Sequence, residues 1–135
     1  MTGYLYTSKN YKENKHIRCY FLLSDKSYLC FEDIRKFGGF YYLHSLDVIN
    51  NKLGIDPFDK EFSIKWLKQN ILKKKCQIKA LLFNQSFICG LGNIYIDEIL
   101  WKSKIHPLKN TSSFIERDVI NLYDNILGTL KESIK

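Results

Sequence analysis

The sequence predicts an α+β chain, strands first and helices second, and two observations carry that prediction. Between Gly3 and Leu43, short runs of aromatic and β-branched residues alternate with polar turns. From Phe62 onward the apolar residues instead return every three or four positions, the spacing of a helix with one buried face.

In chain order, Tyr4-Leu5-Tyr6, His16 to Leu23, Tyr28 to Phe31 and Phe40 to Leu43 are the expected strands, with Ser24-Asp25-Lys26-Ser27 as a turn between the second and third. Phe62, Trp66, Leu67 and Ile71 share one helical face. A short helix from about Ile78 to Asn84 and a second beginning at Asn93 are joined by Gln85 to Gly92, and His106-Pro107 closes the second. Ile115, Val119, Leu122, Ile126 and Leu130 line the last helix, for which Ser113 and Glu116, three apart, have the spacing of a capping box.

The 135 residues suffice for one domain or two small units, and 45% apolar content fits a globular protein. Lys and Arg total 21 against 14 Asp and Glu, a net charge of +7, which points first to nucleic acid and second to an anionic membrane. No apolar run reaches the ~18 residues of a membrane span and no signal-peptide core opens the chain, so the expected location is the cytosol or nucleoid. The bias toward Lys, Asn, Ile, Tyr and Phe also fits an AT-rich genome, which weakens net charge as an argument. Cys19, Cys30, Cys76 and Cys89 form no C-x-x-C pair, so reduced thiols are expected rather than a zinc site.

The stretch Gly90-Leu91-Gly92-Asn93 places a flexible backbone just before a helix start, where unsatisfied N–H groups suit an anion and above all a phosphate. Asn93 could equally cap its own helix. Arg35 and Phe37, two apart ahead of Gly38-Gly39, would point the same way from a strand-like backbone. Such a cation and aromatic can fill a gap in duplex DNA, the ring wedging a base step while the guanidinium bonds the orphaned base. Lys73-Lys74-Lys75 reads as a solvated helix end that adds nonspecific phosphate attraction, and Lys36 is a further nonspecific contact. Asp97 and Glu98 diverge by about 100° on a helix, so they cannot share a proton path; acidic residues in a first turn favour the helix dipole, and Glu98 is read as structural. His16 and His106 have no nucleophile partner in sequence and are read as structural too.

Taken together and in order, Asp33-Ile34-Arg35-Lys36-Phe37-Gly38-Gly39, Leu53-Gly54-Ile55-Asp56-Pro57-Phe58, Ile78-Lys79, Gly90 to Leu100 and Ile105-His106-Pro107 resemble the formamidopyrimidine-DNA glycosylase family, bifunctional base-excision enzymes for oxidised purines. The resemblance implies that residues 1–50 are the end of a β-sandwich domain and residues 51–135 a helix-two-turns-helix DNA-binding domain. It implies that Met1, Arg35 and Phe37 fill the void left by a flipped nucleotide, and that Asn93, Gly92 and Lys79 bind phosphate at the lesion. The implied partner is double-stranded DNA with oxidised-base or abasic lesions, bound by a monomer associated with the nucleoid.

Family members begin with a proline nucleophile followed by glutamate and usually end in a structural zinc finger, whereas this sequence runs from Met1-Thr2-Gly3 to Lys135. The expectation is therefore a chain without catalytic residues or cofactor, binding DNA with little or no turnover. Two other readings compete. The same helical module occurs in a small-subunit ribosomal protein, which would make this a nonenzymatic RNA-binding module, although the strands and the Arg35-Lys36-Phe37 segment argue against it. A decayed gene fragment is the third.

Overall fold

A computed structural model describes residues 3–134 of the chain. They fall into two compact units, divided between His44 and Ser45.

The first unit is an antiparallel sheet of β1 (Gly3–Ser8), β2 (Ile17–Leu22) and β3 (Tyr28–Asp33) in the order β1-β3-β2. Alternation along the strands gives the sheet two aromatic faces. Tyr11, Tyr20 and Tyr28 cluster on one, with ring centroids 4.6–6.0 Å apart. On the other, Phe40 meets Phe21 at 5.1 Å and Phe31 at 5.3 Å, edge to face. The turn between β2 and β3 forms as expected, with Lys26 at φ 65° and the Asp25 carboxylate accepting from the Ser27 amide and hydroxyl.

Phe40 to Leu43 is not a strand. Its aromatic residues suit a sheet, but β3 already has a neighbour on each side. The chain after Asp33 instead turns back, and Phe40 packs on a face of the sheet rather than joining an edge.

The second unit holds α1 (Asp47–Asn50), α2 (Ile64–Ile71), α3 (Ile78–Phe83), α4 (Asn93–Lys102), a 3₁₀ turn at Thr111–Ser113 and α5 (Glu116–Ser133). The short α1 precedes every helix expected from periodicity. The core is one cluster that includes Leu67 and Ile71 of α2, Ile78 and Leu82 of α3, Ile96 and Ile99 of α4, and Val119, Leu122 and Ile126 of α5. The apolar period of each helix is thus the face it buries, which is what sustains helices as short as α3.

Ser113 does not cap α5. The Asn110 carboxamide accepts from the Ser112 amide and draws Ser113 into the 3₁₀ turn, while the Asp118 carboxylate accepts from the Ile115 amide at 3.0 Å and from Lys109 Nζ at 2.7 Å. Two overlapping start signals compete, and the carboxylate with a cation beside it prevails. Burial opposes ionisation of Asp118, but Lys109 and the Ile115 amide outweigh it and hold the carboxyl below its usual range.

Candidate nucleic-acid interface

The backbone at the end of β3 is fixed from two directions. The Asp33 amide donates to the His16 carbonyl at 3.0 Å, and the Asp33 carbonyl accepts from Arg18 Nε at 2.7 Å. Arg18 occupies the bulge between Ile17 and Cys19, the irregularity that turns its side chain toward β3. The Asp33 side chain, only 2% exposed, then gathers the following turn. One carboxylate oxygen accepts from the Arg35 amide at 3.0 Å and the other from the amides of Phe37 and Gly38, both at 2.8 Å.

Arg35 and Phe37 lie on one side of the resulting loop, the guanidinium carbon 5.6 Å from the ring centroid. Strand alternation is not the cause: Lys36 between them has φ 59°, so the backbone there is a left-handed turn. Phe37 is 86% exposed, and Lys36 is exposed beside it. Met1, the third residue expected here, lies outside the described residues.

In the helical unit the loop from Asn84 to Gly92 is built from behind. Gly54 donates its amide to the Gln85 carbonyl at 2.8 Å, and Ile55 and Ile88 form a parallel bridge. A Cβ on Gly54 would lie 2.3 Å from the Phe87 carbonyl, an approach that only glycine permits. The Gln85 carboxamide clasps the loop, accepting from the Gly90 amide at 2.9 Å and donating to the Leu91 carbonyl at 2.8 Å. Gly90 has φ 82° and Leu91 is buried as an anchor. Gly92, by contrast, is the N-cap of α4 in extended backbone, with no side-chain cap and nothing within 4 Å of where its Cβ would be. A helix start of this kind leaves its first N–H groups without intrahelical acceptors and open to an anion.

Lys79 and Asn93 converge on Asp97, one turn into this helix. The Lys79 amide donates to the Pro107 carbonyl at 3.2 Å, which fixes the first turn of α3, and its Nζ reaches Asp97 Oδ1 at 2.6 Å. Asn93 Nδ2 donates to Asp97 Oδ2 at 3.4 Å, a long bond, so Asn93 does not cap α4. Asp97 is the fifth residue of the helix, beyond its first turn, and the expected service to the helix dipole is replaced by this bridging of Lys79 and Asn93. Glu98 points elsewhere, to Lys102 at 3.4 Å. Lys102 also donates to Glu132 at 2.7 Å, and chiefly that bond raises the pKa of its ammonium. Lys73, Lys74 and Lys75 are exposed in the loop between α2 and α3. His106 Nδ1 accepts from the Leu108 amide at 3.2 Å, a turn-forming role.

All four cysteines are free. Burial, with the charge of Asp56 adding to it, pushes the Cys89 thiol up and keeps it protonated at neutral pH, away from nucleophilic use. Among the described residues no cluster of His, Cys, Asp or Glu could hold a metal ion, and no helix is long and apolar enough to cross a membrane. Asp33 and Gln85 were not among the residues expected from sequence; the local signal for Asp33 is its Asx-turn bond to the amide two residues on.

Residues 53–135 match the family model described as the formamidopyrimidine-DNA glycosylase H2TH domain. A formamidopyrimidine-DNA glycosylase of Lactobacillus gasseri is 37% identical over 139 aligned residues, covering 98% of this chain and 49% of that protein. One of Bacillus cereus is 35% identical, covering 90% and 46%. The chain spans about half the length of the curated relatives it matches. Among solved structures, the Lactococcus lactis Fpg in complex with abasic-site DNA superimposes with a TM-score of 0.86 at 32% identity, covering 99% of this chain and 51% of that one. MutM in complex with carbocyclic 8-oxo-G DNA gives 0.87 at 32% identity, covering 99% and 52%.

Proposed function

Because this chain belongs to the formamidopyrimidine-DNA glycosylase family, matched through its H2TH domain, we propose that it acts in base-excision repair by binding duplex DNA at abasic or oxidised-base lesions. Arg35 and Phe37 enter the void, and Gly92, Asn93 and Lys79 seat a phosphate at the start of α4. Lys36, Lys73, Lys74 and Lys75 add sequence-independent attraction. Excision of oxidised purines and strand cleavage belong, on this reading, to the assembled enzyme of the family, and the location is the cytoplasm at the nucleoid. Residues 1–50 would be the end of its β-sandwich domain and 51–135 its DNA-binding domain.

The observation that carries the reading is the Phe37 ring, 86% exposed with the Arg35 guanidinium over it. Leaving a phenylalanine in water forgoes roughly 2 kcal/mol of burial. A base-sized gap in DNA supplies that burial, and the guanidinium meets the base left without a partner. The similarity to relatives solved with abasic-site and 8-oxo-G DNA supports the same partner.

Fluorescence anisotropy with duplexes of one sequence, intact or carrying a tetrahydrofuran abasic site, tests it. The abasic duplex should bind at least about tenfold more tightly, because its missing base spares an unstacking cost of a few kcal/mol. Arg35→Ala and Phe37→Ala should erase most of that preference, whereas Asn93→Ala and Lys79→Ala should weaken both duplexes alike, since phosphate contacts only position the protein. Equal affinities of the unaltered chain for the two duplexes would refute void filling. Structured RNA competing as well as the abasic duplex would favour a ribosomal-type RNA-binding role.

A further inference from the structure

We infer that Asp33 is the positioning residue of the Arg35–Phe37 finger: its buried carboxylate holds the loop in the one conformation that can enter a gap in DNA. This rests on the void-filling reading and adds what makes the finger stiff enough to act as a wedge.

The loop has little else to hold it. Ile34 through Gly39 are exposed, and two fixed points flank them. Before the loop, Arg18 and the His16 carbonyl pin the backbone of Asp33. After it, Gly38 returns the chain so close to the sheet that a Cβ there would lie 2.5 Å from the Phe31 ring. Between these points, three backbone amides converge on a single side chain. A flexible exposed loop would lose its conformational freedom on entering the DNA; a loop already tied by three bonds has lost it on folding.

The chemistry is specific to aspartate. A carboxylate presents two acceptor oxygens and no donor, and here one oxygen takes the Arg35 amide while the other takes those of Phe37 and Gly38. Asparagine has the same shape with a single acceptor, so in either orientation its NH₂ faces at least one backbone N–H. Glutamate carries the charge one methylene further, into a site that leaves only 2% of Asp33 exposed. Burial also reconciles an acidic side chain with a DNA-facing loop: charge-assisted bonds to the three amides compensate its desolvation, and its oxygens are already occupied by them.

The test is Asp33→Asn in the full chain, with the preference for abasic over intact duplex as the readout. The preference should fall to within about twofold of unity, as for Phe37→Ala, while affinity for intact duplex changes by less than about twofold, because Gly92, Asn93 and Lys79, which seat the phosphate, lie in the other unit and the loop itself carries only the nonspecific contact Lys36. Adding Asp33→Asn to Phe37→Ala should lower the preference no further, the non-additivity expected of a residue that acts only through the finger. If Asp33→Asn keeps the preference while Phe37→Ala abolishes it, the positioning role is wrong and void filling stands. If Arg35→Ala and Phe37→Ala both keep it, void filling is wrong and the positioning role falls with it. Amide hydrogen exchange on the unaltered chain makes the test independent of whether the variant folds. The Arg35, Phe37 and Gly38 amides should exchange well below the rate of Lys36, and equal rates across the four would overturn the inference.

Discussion

Each unit of this protein builds its candidate DNA contact around one aspartate, and the two carboxylates differ in what surrounds them. Asp33 is buried and bonded to three backbone amides, so it belongs to the architecture of the finger. Asp97 is half exposed and bonded to the very side chains proposed to hold phosphate, Lys79 and Asn93. A carboxylate bonded to fixed amides in a dry site stays where it is, whereas one in an exposed ion pair contributes little and is exchanged easily. The first can position a reader of lesions. The second can stand in for the phosphate until DNA arrives.

The largest effect that sharpens this comparison concerns what fixes each region. The finger hangs on a side chain, but the start of α4 is backed by the close approach of Gly54 to Phe87. Gly54→Ala should therefore cost the helical unit about 1–3 kcal/mol or more through overpacking, a fall of several degrees in the melting of its helical signal. Gly92→Ala, whose Cβ would meet only open space, should leave the melting temperature nearly unchanged and weaken DNA binding instead. A Gly54→Ala protein that melts like the unaltered chain would mean that the loop is not supported from behind as described.

Next in size is Asp97→Asn. If the carboxylate stands in for phosphate, removing its charge frees Lys79 and strengthens binding to intact and abasic duplex alike, by up to about fivefold for a pair worth about 1 kcal/mol. The salt dependence should follow. On the order of four phosphate contacts give a log–log slope near −3.6, and the variant should be steeper by up to about 0.9. Weaker binding by Asp97→Asn would break the comparison, because Asp97 would then organise its neighbours as Asp33 does.

Sequence legibility divides along a related line. Among the described residues, the three strands and four of the five α-helices follow from period and composition, which are properties of consecutive residues and are enforced by burial of one face. Arg35, Phe37, Lys79 and Asn93 could be singled out because their residue types sit in recognisable local frames. Asp33 and Gln85 could not, since their bonds to Phe37, Gly38, Gly90 and Leu91 span four to six residues and exist only once the loops have folded. Phe40 to Leu43 misleads for a complementary reason: propensity describes what a segment could do in a sheet, and the topology left β3 no free side. Asp97 misleads because an acid near a helix start suits the dipole, and only the position of α3 brings Lys79 within 2.6 Å of it.

The smallest predicted effect extends the comparison to a third carboxylate. Asp118, at the start of α5, combines both kinds of partner, the fixed Ile115 amide at 3.0 Å and the Lys109 ammonium at 2.7 Å. Its carboxyl is held below the usual range despite the opposing effect of burial. A depressed folded-state pKa contributes stability that is complete above the unfolded value of about 3.9 and is lost as pH falls through the folded value. The helical signal should accordingly lose thermal stability below about pH 4, and Asp118→Asn should reduce that loss. At neutral pH the substitution keeps one acceptor for the Ile115 amide and gives up only the attraction to Lys109, so it should cost less than about 1 kcal/mol. Glu116, whose carboxyl is held below its usual range by its bond to Lys68, contributes in the same direction. Its pair is exposed on both sides, so about 0.5 M salt, which shortens the screening length to roughly 4 Å, should suppress its share first. An acid transition that Asp118→Asn leaves untouched would show that neither the Ile115 amide nor the Lys109 ammonium holds this carboxyl low, and Asp118 would then add no more to stability than an exposed carboxylate such as Asp97.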